Sequence, residues 1–199
     1  LSTTLQEIQR LLKEDPMDRA ALAELFDEAD HAQRVAAIRT ISGKQQANLW
    51  DACMGKSTCL EDLVPADHPP ATEVIHVGRN SLPAFRDFEK RFSRDPTRDD
   101  ALYGYNEGAT RKLIGPGYFV AHLDENRDEI GVDYLMVPPD DANLPDGWPA
   151  VIPNEKGLQR FVYAGMVDYL RKVSEHILIG RAWRKGKVTN NYFVLCRTP

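Results

Sequence analysis

Three cysteines in 199 residues, Cys53, Cys59 and Cys196, are an odd number with no CxxC pair among them. That argues against a disulfide framework, and Cys53 and Cys59 have no histidine or second pair to complete a structural zinc set. A reducing, cytoplasmic location is the expectation. No apolar run approaches the roughly 20 residues needed to span a bilayer, so no membrane partner is expected. The N-terminal LSTTLQEIQRLLKED lacks the basic-then-apolar order of a signal peptide. Because the chain starts on Leu1, a removed targeting segment stays open as an alternative. GxSxG, HExxH and HxE…CxxC are all missing, as are internal repeats and low-complexity tracts. The run Gly55-Lys56-Ser57-Thr58 has a P-loop ending, but Trp50 stands where that motif needs its first glycine and no strand precedes it. The residues name no cofactor.

What is present is an ordinary globular balance, 42% hydrophobic and 28% charged. The net charge of −5 is unevenly spread: residues 156–199 carry nine basic and two acidic side chains, and the middle of the chain is acidic. A basic tail with Trp183, Tyr192 and Phe193 raises nucleic-acid binding. An acidic protein repels a polyanion, however, so outward lysines and arginines on terminal strands are the simpler reading and a nucleic-acid partner is not expected.

Residues 1–55 read as a helical segment. Leu5, Ile8 and Leu12 make one stripe, with Ser2 or Thr3 as the cap. Pro16 suits the first turn of a second helix carrying Leu22, Leu25 and Phe26, Ala32–Ile41 forms a third, and Ser42 caps a fourth. Residues 56–72 form a proline-containing linker, and residues 73–199 a β-rich unit. Within it, 73–77, 102–106, 117–123 and 130–137 are strand candidates, and Ile177–Arg184 and Val188–Arg197 form a hairpin around Gly186. Phe85, Phe88 and Phe92 fall at helical spacing behind Pro83, which predicts a short amphipathic helix. Residues 158–173 fit either helix or strand and lean to strand through their aromatic and β-branched content. The long loop 138–157 has the composition of a lid or site wall. The fold class is α+β: an N-terminal helical layer, then a strongly twisted, mostly antiparallel, barrel-like sheet carrying one or two helices.

For the site, strand alternation puts Tyr118, Val120 and His122 on one face, with Tyr103, Tyr105 and Glu107 on the neighbouring strand. If that mixed face turns inward, it lines a half-polar pocket for a small, partly apolar ligand. Tyr103, Tyr105, Tyr118, Arg111 and Lys112 are then the binding candidates, with the two cations poised for an anion beside Gly115-Pro116-Gly117. A rival reading is a hydrolase, isomerase or lyase in which His122 works with Glu107 or Asp133. A third is a partner-docking module or homodimer built on the narrow-striped helices. No metal is expected: Asp124, Asn126 and Asp128 mimic a calcium loop, but Glu129 and Leu135 stand where glycine and glutamate are required. That run reads as a solvated hairpin tip.

Overall fold

In the computed structural model, which describes residues 3–84 and 86–199, eight antiparallel strands close into a barrel in simple sequence order. They are β1 (Val74–Asn80), β2 (Asp87–Arg94), β3 (Ala101–Glu107), β4 (Phe119–Asp124), β5 (Glu129–Asp133), β6 (Met166–Lys172), β7 (Ile177–Arg184) and β8 (Lys187–Arg197). β8 closes on β1, with Val77 opposite Cys196. Period-two alternation decides what fills the barrel. Phe92, Leu102, Phe119, Val132, Leu170 and Leu195 point in and form one core cluster.

An eight-stranded barrel is just wide enough for side chains or one small ligand, and three cross-strand pairs of one kind set its inner contour. Gly78 lies opposite Phe88, Gly104 opposite Phe119 and Gly180 opposite Phe193. Each phenyl ring lies where the glycine's missing side chain would be: a Cβ on Gly180 would stand 2.2 Å from Phe193 Cζ. The glycines let large rings lie flat against the wall without crowding the lumen.

The helices are α1 (Thr3–Leu11), α2 (Arg19–Glu28), α3 (His31–Thr40) and α4 (Gly43–Ala52), with short α5 (Leu60–Leu63) and α6 (Arg111–Ile114). The first four lie outside the barrel. Phe26, Ile38, Leu49 and Trp50 share a second core with Ile177, Ile179, Val194 and Cys196, the outward residues of β7 and β8. Asp30 with Gln33, and Ser42 with Gln45, form capping boxes that satisfy the first free amides of α3 and α4. Ser42 is the cap its sequence position suggests. Asp18 caps α2, so this helix starts three residues after Pro16 rather than on it. Thr3 is already helical, and Ser2 lies outside the described residues.

One end of the barrel is plugged by α5, whose Leu60 and Leu63 join the inner core together with Val64, the residue that follows the helix. Its last carbonyls would be orphaned there. Arg197 Nη1 donates to Glu61 O and Asp62 O, His76 bonds Leu63 O at 2.8 Å, and Arg94 Nη2 donates to Val64 O. The other end is open.

Two sequence expectations are corrected. Residues 87–94 are strand β2, not a helix, with Phe85 outside the described residues. Phe88, Lys90 and Phe92 share its inner face, and pairing with β1 and β3 overrides the helical spacing. Residues 158–173 divide: Leu158–Phe161 is a 3-10 turn, and the strand begins at Met166 after Gly165 takes a positive φ of 71°. No helix among the described residues is long and apolar enough to cross a membrane.

Candidate functional site

Below the open mouth lies a cavity of about 570 Å³, walled by Phe88, Phe193, Tyr163, Met166 and Ala182. Its floor is polar and buried. Lys90, from β2, places Nζ 3.2 Å from Asp168 Oδ2 of β6 and 3.1 Å from Asn106 Oδ1 of β3, and it also contacts the Tyr134 hydroxyl. Tyr134 bonds Asn106 and Asp168 in turn, and Asn106 Nδ2 donates to Gly117 O at 2.9 Å. Four rings surround the ammonium, with centroids 4.9–5.8 Å from Nζ: Tyr134, Phe119, Phe193 and Phe88.

Lys90 and Asp168 have side-chain exposures of 2% and 6%, so water screens neither charge. Burial pushes the Lys90 pKa down and the Asp168 pKa up, and each shift is opposed by attraction to the other group. Burial also raises the hydroxyls of Tyr134 and Tyr163, the latter to about 12, so both are neutral donors. Every donor of Lys90 has an acceptor, but Asp168 Oδ1 has no hydrogen-bond partner. A buried carboxylate oxygen in that state leaves a lone pair facing a low-dielectric space.

The mouth is shaped by the loop that the sequence singles out. α6 carries Arg111, whose Nε is 2.7 Å from Glu107 Oε2 and which lines the cavity, while Lys112 is exposed. Gly115 and Gly117 both take positive φ, and Gly117 N donates to Gln159 Oε1 at 3.1 Å. A Cβ on Gly117 would meet the Tyr163 ring at 2.3 Å. The Gly-Pro-Gly turn therefore lets the chain pass close beneath Gln159 and Tyr163. Arg184, at the end of β7, also lines the cavity, and its guanidinium donates to the carbonyls of Phe161 and Val162.

The tyrosine face points the other way, onto the outside of the barrel. Tyr103 packs beneath Ala142 and Leu144. Tyr105 and Tyr118 pack around Trp148 at centroid distances of 5.0 and 6.3 Å, and Tyr118 Oη donates to Pro149 O. Loop 138–157 is thus a strap over β3 and β4, tied down where Asn143 N and Nδ2 donate to Asp95. Glu107 and His122 sit at opposite ends of the β3–β4 pair, since His122 faces Ala101. Six residues of strand, about 20 Å, separate Ala101 from Glu107. His122 Nε2 does lie 3.8 Å from Asp133 Oδ2, and that carboxylate raises the imidazole pKa. His122, but not Asp133, lines an open surface groove of about 1190 Å³ that also holds Tyr103, Arg98 and Lys172. The groove is larger than the barrel cavity, but its two strong cations are already paired, Arg98 with Asp100 and Lys172 with Asp62.

Lys90, Asp168, Asn106 and Tyr134 were not among the sequence candidates. Read as strands, Phe-x-Lys-x-Phe over 88–92 and Met-x-Asp-x-Leu over 166–170 each put one charge between two inward apolar residues, and that was the available signal. Asp124–Asp128 forms the expected hairpin tip, with Asn126 N donating to Asp124 Oδ1. No group of three or more potential metal ligands occurs among the described residues. Cys53 and Cys196 are buried thiols pushed up to about 11, hence unreactive. Neither a protein-family model nor a curated relative matches the chain.

Proposed function

We propose that this protein binds a small, partly apolar molecule inside its barrel, admitted through the open end. The observation that carries the reading is the cavity itself: about 570 Å³ of apolar-walled space that ends on a buried Lys90–Asp168 pair. This volume falls within the usual range for small-ligand sites, as does the combination of aromatic walls with a few convergent polar groups. A buried ion pair contributes little net stability compared with apolar side chains of the same volume. Its presence at the bottom of an open cavity supports a recognition role.

The acid–base reading on His122 and Asp133 has one observation in its favour, the 3.8 Å approach beside an open groove. Glu107 takes no part in it, being held by Arg111. The barrel reading is better supported, because its polar groups are buried at the bottom of an apolar-walled cavity.

Ala182→Phe tests the barrel reading. Ala182 is 3% exposed and lines the cavity, so a phenyl ring there fills it. An amphiphilic fluorescent dye such as anilinonaphthalene sulfonate should bind the native protein and be excluded from the variant, with circular dichroism unchanged. Equal dye binding by both proteins would overturn the proposal.

A further inference from the structure

Resting on the barrel reading, we infer that the ligand is an anionic amphiphile that carries a hydroxyl group on its inner end: the hydroxyl donates to Asp168 Oδ1, and the anionic group stays at the mouth beside Arg184.

The inner end follows from the unsatisfied valence. Asp168 is 4% exposed, lines the cavity, and uses Oδ2 for Lys90 and Tyr134 while Oδ1 has no partner. No group among the described residues supplies that donor, and a molecule filling the cavity is placed to do so. A second ammonium is disfavoured there, because the Lys90 ammonium stands 3.2 Å from the same carboxylate. A neutral hydroxyl meets no such repulsion, and it satisfies the oxygen at little desolvation cost.

The outer end follows from charge. The described segments that frame the mouth, residues 81–84, 86, 108–118, 158–165 and 184–187, contain seven basic residues and no acidic one, in a chain whose net charge is −5. Asp87 and Glu107, on the adjoining strand ends, are paired with Arg79 and Arg111. Arg184 makes no ion pair among the described residues although it lines the cavity. Its strand position lies two residues from Ala182, the register partner of Asp168, which is about 7 Å of rise. Between the two ends the wall is Phe88, Phe193, Tyr163 and Met166. One molecule with a methylene body can reach both.

The test is competition for the dye bound to the full chain, using ω-hydroxydecanoate, decanoate and decanol. The hydroxy acid should displace the dye at about tenfold lower concentration than decanoate, the usual cost of leaving a charged buried acceptor unpaired. Decanoate should outcompete decanol at low salt, and Arg184→Gln should remove that advantage while leaving the hydroxyl effect in place. Equal potency of the hydroxy acid and decanoate overturns the inner-hydroxyl assignment while the barrel reading stands, since both still displace the dye. Equal potency of decanoate and decanol overturns the anionic end. Failure of all three to displace a dye that Ala182→Phe excludes overturns the amphiphile class, and failure of the dye to enter at all removes the barrel reading with it.

Discussion

Lys90 and Asp168 meet across the lumen from β2 and β6, strands that are not neighbours in the barrel, with Nζ 3.2 Å from Oδ2. Each charge is tolerable only because of the other. Lys90→Met alone leaves a buried carboxylate without its cation, and Asp168→Leu alone leaves an ammonium without its anion. Each single change should cost about 3–5 kcal/mol of stability. The double variant should recover most of that loss, because an all-apolar floor needs no compensation. Urea denaturation of the four proteins makes the cycle, and additive losses would show that the two groups do not act as a pair.

A second buried group gives a pH signature. His76 is fully buried, and desolvation lowers its pKa from 6.5 to about 4 despite the bond to Leu63 O and with Arg197 and Lys90 nearby. The unfolded chain therefore binds a proton that the folded one refuses throughout that interval. Stability must fall as pH drops below about 6.5, and it keeps falling until the folded pKa is reached. Between pH 7 and 5 the loss should be about 2 kcal/mol. His176, also lowered by burial, acts in the same direction, whereas His122, raised chiefly by Asp133, acts in the opposite one. Comparing urea midpoints of the native protein and His76→Leu across this range isolates the His76 part, and parallel pH profiles would refute it.

The strands whose composition alternates cleanly were legible in the sequence. Those carrying a charge on the inner face were not. In β4, Phe119 and Ala121 against Tyr118, Val120 and His122 announce two faces, although which one turns inward depends on closure of the barrel. The aromatic face lies outside because the strap brings its own Trp148, Ala142 and Leu144 to cover it. In the sequence 85–92, Phe85, Phe88 and Phe92 match a helical period, and Lys90 then falls on a wet face. The strand reading becomes decisive only when Glu89 and Arg91 find outward partners, including Glu73. Asp168 was hidden for the same reason. Its partner is 78 positions away, and no local pattern reports a pairing across a lumen. The helical layer and its Ser42 cap depend on contacts within a few residues, and there local reasoning held.

The Gly–Phe pairs predict how the wall responds to a methyl group. In Gly180→Ala the new Cβ would overlap the Phe193 ring, whose nearest atom is 2.2 Å away. The ring would have to swing into the lumen or the strands part, at about 1–3 kcal/mol. Phe193→Leu in the same background should return part of that loss, because the smaller side chain leaves room. Thermal denaturation of the single and double variants checks this. A fully tolerated Gly180→Ala would mean that the wall is more pliable than the packing implies.

The strap gives the last prediction, through the buried carboxylate that holds its first part at Asn143. Asp95 is 2% exposed, and burial alone would raise its pKa, but bonds from Thr97 N and Oγ1 and Asn143 N and Nδ2 outweigh that and hold it near 2. It therefore stays charged through the whole mildly acidic range, and the strap should not detach there. Asp95→Ala removes all four bonds, which hold Thr97 and the strap residue Asn143, at about 1–3 kcal/mol. The effect should be local: amides of 140–149 should exchange faster, and Trp148, which donates to Glu73 from its place beside Tyr105, should change its fluorescence. Amides of β7 and β8, on the helix-covered side, should keep their protection, because none of the four bonds reaches them. Uniformly faster exchange across the barrel would mean that the strap is part of the cooperative core, not a cover laid over it.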